Sequence, residues 1–428
     1  MMLSWLSIVR LGLVQMCLGA IVVLMTSTLN RLMVVELALP AVLPGLLVAL
    51  HYAIQITRPN WGYLSDTGGS RTRFIIGGMA VLAAGGFGAA LGVTVIPGNF
   101  AAGLALSIAA YTLIGIGVGA SGTSLLALLA SATEPRRRAA AATITWLMMI
   151  FGIAVTASTV GRFLDPYSPT RLLEVVGIVT VGAVVLTSLA IAGIEARCHK
   201  VPMVEERIPF MEGLRDVWAE PKARAFTIFI FLSMTAYFMQ ELILEPYAGL
   251  VFGMTPGQTT ALSGAQNGGV FVGMLTVGIA ATGLRFGSLR AWVMAGCIGS
   301  SLSLLMVAAL GQVGAALLTP AVVALGFFNG MFAVSAIGAM MALAGQGREA
   351  REGTRMGLWG ASQAIAAGFG GLAGAAVVDV LRLLLPAPAA FGSVFVAEAA
   401  LFVAATVMAA RIIEGTTHAP SAALIAGE

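Results

Sequence analysis

The sequence predicts an all-α polytopic membrane protein: twelve transmembrane helices in two six-helix halves. Three observations carry this. The 428 residues are 59% hydrophobic and only 10% charged, whereas soluble domains carry about 25% charged residues. Charge-free runs of spanning length recur along the whole chain. The basic residues are also distributed very unequally between the two sides that such spans define. The same numbers exclude other classes. Three cysteines, Cys17, Cys198 and Cys297, have no C-x-x-C spacing, so a disulfide scaffold or zinc ribbon is ruled out. The net charge of +4 is scattered among apolar runs, which argues against a nucleic-acid partner and leaves membrane lipid as the surrounding medium.

Taken in order, span one lies in 11–30 and span two in 37–57. The first follows Arg10 without a small-residue cleavage site and is read as retained. Spans three and four share the run 74–133, broken at Pro97-Gly98-Asn99. Spans five and six occupy 139–161 and 175–194. Span seven begins at 225 and runs past Glu241, the stretch 246–258 reads as a loop around Pro246 and Gly253, and span eight follows near 259–281. Spans nine and ten share 291–347, broken near Gly311 to Gly314. Span eleven lies in 356–378, and span twelve in 383–410 is interrupted by Glu398. Of the 23 Lys and Arg residues, all but Arg31, Arg162, Arg171 and Arg382 then fall on the side of both termini, which the positive-inside rule makes cytoplasmic. A multi-pass membrane location with both termini in the cytoplasm is expected.

The longest polar connection divides the chain into an N-terminal half (1–194), a linker (195–224), a C-terminal half (225–412) and a tail (413–428). Within the linker Phe210, Leu214, Val217 and Trp218 follow Pro209 at helical spacing, consistent with either a short surface helix or an ordinary linker. Arg138 precedes Trp146 by eight residues, and Arg351 precedes Trp359 by the same interval, a trace of repetition between halves.

The turn after span two reads Trp61-Gly62-Tyr63-Leu64-Ser65-Asp66-Thr67-Gly68-Gly69-Ser70-Arg71. Gly62, Asp66, Gly69 and Arg71 resemble the G-x-x-x-D-x-x-G-x-R signature of the major facilitator superfamily, with departures at Thr67 and Ser70. The resemblance implies the major facilitator fold and a latch between halves. A narrower resemblance covers nearly the whole chain. Asn30-Arg31-Leu32-Met33-Val34-Val35-Glu36-Leu37, Ala49-Leu50-His51-Tyr52-Ala53-Ile54-Gln55, Arg58-Pro59, and Gln240-Glu241-Leu242-Ile243-Leu244-Glu245-Pro246-Tyr247 with Val251-Phe252-Gly253-Met254 resemble the PucC/LhaA family. That family implies handling of bacteriochlorophyll or a related magnesium tetrapyrrole as cargo. Implied partners are bacteriochlorophyll-synthesis enzymes or light-harvesting and reaction-centre polypeptides.

The residues themselves offer two polar stripes. His51, Gln55 and Arg58 share one face of span two, and His51 is the only histidine in a span. Neutral imidazole suits the open axial position of a pigment magnesium; a histidine hydrogen-bonded between helices is the bland alternative. Gln266, Asn267 and Asn30 are the next candidates for ligation. Tyr237, Glu241 and Glu245 share a face of span seven, near Tyr247. Arg31 and Glu36 lie at the same level, so a cross-half pair of Arg31 with Glu245, forming a gate or cargo contact, is expected. The carboxylates can alternatively carry an exchangeable proton. Glu398 is alone on its span. Gly115, Gly117, Gly119 and Gly122 lack a strand-turn-helix context and read as packing positions. No P-loop, H-E-x-x-H or clustered acidic motif is present, so the chain is expected not to be an enzyme. The function expected is binding and delivery of bacteriochlorophyll or a late precursor. The alternatives are a proton-coupled exporter of an amphipathic compound, or a non-catalytic subunit of a bacteriochlorophyll synthase complex.

Overall fold

The computed structural model describes residues 3–67, 70–134, 137–195, 215, 218–284, 286–344 and 352–413. These form twelve rods. In the first half, α1 covers Trp5–Glu36, α2 covers 42–67, α3 Arg71–Val95, α4 Phe100–Ala132, α5 Arg138–Leu164 and α6 Pro169–Ile191. In the second, α7 covers Pro221–Phe252, α8 256–283, α9 Leu289–Val313, α10 Leu318–Ala344, α11 Glu352–Arg382 and α12 Ala387–Ile412. Ten of the described helices are long and apolar enough to cross a membrane; the shorter apolar α2 and the more polar α8 complete the twelve. The face that carries the start of α1, the end of α6, the start of α7 and the end of α12 is called the linker side below, and the opposite face the far side.

Helix pairing repeats with a six-helix offset. In the N-terminal half α1 packs on α5 and α6, α3 on α4 and α6, and α2 on α4. In the C-terminal half α7 packs on α11 and α12, α9 on α10 and α12, and α8 on α10. The two most extensive contacts between halves obey the same rule: α5 meets α8, and α11 meets α2. Each half has its own apolar core. One gathers residues such as Leu82, Tyr111, Leu125 and Val176, the other Phe229, Phe332, Phe391 and Phe402. Small residues allow the close approaches. A Cβ at Gly117 would lie 2.5 Å from the Leu82 amide of α3, and one at Gly115 2.9 Å from the His51 carbonyl of α2. The glycines of α4 are therefore packing positions.

Two segments differ from expectation for physical reasons. Residues 246–252 are helix, not loop: α7 runs through Pro246 and ends at Gly253, whose φ of 66° caps it in the left-handed region. Span one is longer than its charge-free run, because α1 carries Arg31 buried within it. α1 also contains two π-helical stretches, Leu24–Leu29 and Leu32–Glu36. The surface helix expected around Phe210, Leu214 and Val217 lies outside the described residues, as do 414–428.

The linker begins on a defined contact. Glu195 accepts from the Ser70 hydroxyl at 2.9 Å and from the Arg71 and Thr72 amides at 2.8 Å each. It thus supplies the cap that α3 lacks from its own Ser70 side chain. Burial pushes the Glu195 carboxyl up, but the Thr72, Arg71 and Ser70 donors outweigh it and hold the group below its ordinary value of 4.5. A depressed carboxylate stabilises the fold above its unfolded value and loses that contribution as pH falls through the folded value. Glu195→Gln should therefore lower the thermal midpoint at pH 7, by the equivalent of about 1 kcal/mol. The gap to wild type should close on acidification below about pH 4. Differential scanning fluorimetry at the two pH values checks this.

Candidate functional site at the α1–α7 seam

The π-helical turns of α1 set the site. Wider turns of this kind place several consecutive side chains against a neighbour and recur at functional positions. Here Thr26, Ser27, Thr28, Asn30 and Arg31 all meet the C-terminal half. Thr26 lies beside the Glu241 carboxyl, and the Ser27 hydroxyl donates to Glu245 Oε1. Thr28 and Thr260 hydroxyls are 3.1 Å apart. Asn30 Nδ2 donates to the Leu242 carbonyl at 2.7 Å, and an Arg31 nitrogen donates to the Met254 carbonyl, also at 2.7 Å. Glu245 is further surrounded by Thr259 and Ser263 of α8. It is 2% exposed, and its Oε2 has no hydrogen-bond partner. A hydroxyl donated to a buried carboxyl is worth about 1.5–3 kcal/mol.

Pro246 explains the Asn30 contact. A proline inside a helix has no amide hydrogen, so the carbonyl four residues earlier is left without its helical partner. That carbonyl belongs to Leu242, and Asn30 fills the vacancy from the opposite half. The helix survives its proline because another helix supplies the donor. Arg31 is 2% exposed and bonds Glu36 at 2.5 Å as well as Met254. The expected Arg31–Glu245 ion pair is present only as a charge interaction without a hydrogen bond: Arg31 bonds Glu36 and the Met254 carbonyl, while Glu245 takes hydroxyls.

On the linker side of this seam lies a mixed aromatic and polar wall. Tyr52 of α2 lies near Tyr237 and Glu241 of α7, and its ring is 6.1 Å from that of Phe238. Neighbouring His51 is 1% exposed, with its ring 4.8 Å from Tyr52. The stripe His51–Gln55–Arg58 is a hydrogen-bond chain. Arg58 donates to Gln55 Oε1, so Gln55 Nε2 faces His51 Nε2 at 3.0 Å as the donor. This network assigns the tautomer: Nε2 accepts, and Nδ1 carries the proton, buried and without a partner. In this state neither ring nitrogen offers a free lone pair.

The other sequence candidates scatter. Asn267 donates to the Ser263 carbonyl at 3.0 Å, one turn from the Glu245 environment, while the backbone of α8 at Gln266 packs closely on Gly326 of α10. Tyr247 is not at the gate: it is fully buried, donates to the Val307 carbonyl at 2.7 Å and packs on Phe252, Phe391 and Phe395. Its size and aromatic neighbours make it a core residue of the C-terminal half. Glu398 is likewise inside that half, 0% exposed, with neither oxygen bonded. In the signature, Arg71 bonds the Ala127 carbonyl at 3.0 Å and the Ser131 hydroxyl, within its own half. Gly69, together with the side-chain environments of Gly62 and Asp66, lies outside the described residues. Sequence reasoning does not reach Thr26, Ser27, Thr28 and Tyr52 as site residues. The clustered Thr26-Ser27-Thr28 ahead of Asn30 was the available signal.

Residues 28–417 match the family described as "PUCC protein", a range that begins inside this seam. The chain belongs to the PucC family. It is 69% identical over the full length of both chains to the bacteriochlorophyll synthase 44.5 kDa chain of Rhodobacter capsulatus. It is 29% identical to Protein PucC of the same organism, covering 95% of this chain and 92% of that one. The fold is shared with a bacterial homologue of human drug peptide transporters (TM-score 0.72, 14% identity, 95% of this chain and 97% of that one). It is shared also with the nucleoside transporter NupG (TM-score 0.69, 14% identity, 96% and 99%). Twelve helices in the major facilitator arrangement are thus established, and the name of the relative at 69% identity refers to bacteriochlorophyll. The expectation that the chain is not an enzyme is corrected: a relative at 69% identity is named as a chain of a synthase.

The Asn30–Pro246 relation is directly testable. Asn30→Leu should destabilise the protein by about 1–3 kcal/mol, because the Leu242 carbonyl loses its donor. In a Pro246→Ala background the restored amide takes that carbonyl, and the same Asn30→Leu change should cost markedly less. Denaturation midpoints of the four proteins measure the coupling, and additive effects would dissociate the two residues.

Proposed function

We propose that this PucC-family protein holds bacteriochlorophyll or a late precursor between its two halves and passes it on in concert with a bacteriochlorophyll synthase. The observation that carries the reading is the 69% identity, end to end, to a chain named for that synthase. The geometry supports it in kind. The wall formed by the partly exposed Tyr52, Tyr237 and Phe238, with His51 buried behind Tyr52, offers aromatic surface for a macrocycle. In its protonated form Glu241, held beside the Thr26 hydroxyl, can donate a hydrogen bond to a carbonyl substituent of the ring. The cargo would enter from the linker side, which the distribution of basic residues makes cytoplasmic, in a bacterial inner membrane.

His51 is the proposed axial ligand of the pigment magnesium, with Gln55 as its switch. Ligation requires Gln55 to release Nε2, so the Gln55–His51 bond and the magnesium bond are mutually exclusive. Asn267, with Ser263, and Gln266 are the alternative donors on α8. A proton-coupled exporter is the second reading, and the observation favouring it is the pair of carboxyls one helical turn apart on α7, half-buried Glu241 and buried Glu245.

An absorption spectrum of protein purified in mild detergent separates these. Co-purified tetrapyrrole, absorbing in the visible and near infrared, supports the pigment reading. Colourless protein that takes up protons with a substrate in vesicles supports the exporter. His51→Phe should reduce bound pigment or shift its spectrum without lowering protein yield, and His51→Gln, which keeps a donor atom, should do so less. Gln55→Leu should leave pigment binding intact or stronger. Wild-type spectra in both His51 variants would reassign the ligand.

A further inference from the structure

The far side is closed by contacts in which each half completes a helix of the other. The first turn of a helix has amides without intrahelical acceptors and favours an anion there. α2 begins at Val42 after Leu37-Ala38-Leu39-Pro40-Ala41, which holds no Ser, Thr, Asp or Asn, and it has no side-chain cap of its own. Its acceptors come from the other half. Asp379, near the far-side end of α11, takes the Ala41 amide on Oδ1 at 2.9 Å and the Val42 amide on Oδ2 at 2.7 Å. The equivalent place in the other half is α8. There Asp165, the residue after α5, takes the Gly257 amide on Oδ1 at 3.1 Å and the Thr255 hydroxyl on Oδ2 at 2.5 Å. A Cβ at Gly257 would fall 2.5 Å from the Asp165 carboxyl carbon, so glycine is needed for this approach. The relation of α5 to α8 is repeated by α11 to α2.

We propose that Asp165 and Asp379 are a symmetry-related pair of locks holding the far-side gate shut, each a carboxylate of one half seated on a helix start of the other. Neither contact survives separation of the halves on that side. Both lie at the ends of their helices, where water can solvate the parted carboxylate and amides, so the locks are reversible. They are also unequal. α8 keeps a cap without Asp165, because Thr255 and Gln258 cap each other's amides at 3.2 and 2.9 Å. α2 without Asp379 keeps none. Asp379 is the stronger lock, and the proposal stands whatever the cargo is.

Spin labels on Gly98→Cys, in the α3–α4 turn, and Val313→Cys, at the end of α9, report the separation of the halves on the far side. They are placed in a background carrying Cys17→Ala, Cys198→Ala and Cys297→Ala. Pulsed dipolar spectroscopy of the full chain should give one short distance for Asp165 and Asp379 intact. Asp379→Ala should raise the ratio of long to short distances about five- to tenfold, the usual consequence of losing a cap. Asp165→Ala should raise it less, and the double variant should be mostly long. Thermal midpoint and monodispersity verify folding. If an Ala variant does not fold, Asp379→Asn and Asp165→Asn, which keep one acceptor oxygen each, decide by the same ordering. An unchanged distance in the folded double variant overturns the locks, and a larger effect from Asp165 than from Asp379 overturns their inequality.

Discussion

Glu241 and Glu245 sit on α7 in the middle of a membrane protein, and most of the rest of the architecture follows from having to accommodate them. Burying an ionisable carboxyl costs several kcal/mol unless polar partners surround it. On the same helix Pro246 strands the Leu242 carbonyl. Nothing on α7 itself can meet these needs. α1 meets them from the other half, through hydroxyls at Thr26 and Ser27 and the amide of Asn30. The π-helical turns allow so many consecutive side chains to point that way. The seam is therefore at once the polar repair of α7 and the junction between halves.

That double role has a mechanical consequence. Groups satisfied across an interface are satisfied in one arrangement of the halves and exposed in another. The α1–α7 seam, Arg31 on the Met254 carbonyl, and the Asp165 and Asp379 contacts all act towards the far side, where the structure is closed. Within the N-terminal half, Arg71 and Glu195 bind the α2–α3 turn to the end of α6, so this half moves with the start of the linker. Rocking about the seam would exchange these bonds for water or for cargo, with the aromatic wall of Tyr52, Tyr237 and Phe238 just beyond it on the linker side.

The fold was legible in the sequence because spans depend on bulk properties: apolar length, glycine for close packing, and the side on which arginines fall. Even the four exceptional arginines mark the far side or its seam. The site was only partly legible. His51, Gln55 and Arg58 share a face, and the structure makes them one hydrogen-bond chain, as i, i+4 and i+7 spacing allows. Partnership across halves was not readable. Arg31 and Glu245 have opposite charge and similar depth, yet Glu245 is bonded by Ser27 and Arg31 by Glu36, because shorter side chains on wider turns reach first. Pro246 marked a helix end by local rules and does not make one, since the compensating donor lies more than two hundred residues away. Tyr247 and Glu398 were drawn to the site by residue type alone, whereas their positions on α7 and α12 direct them into the C-terminal core. Helix caps supplied in trans leave no local trace beyond the missing cap before Val42.

The central claim, that handling of bacteriochlorophyll depends on movement about the α1–α7 seam, can be tested by fixing that seam covalently. The Thr28 and Thr260 hydroxyls are 3.1 Å apart across it, so Thr28→Cys with Thr260→Cys brings two thiols within disulfide reach. The decisive measurement is bacteriochlorophyll accumulation in cells that depend on this protein, comparing the cross-linked double variant with each single variant. The account predicts near-complete cross-linking, strongly reduced accumulation in the double variant and near-normal accumulation in both singles. Normal accumulation with the seam fully cross-linked would contradict it.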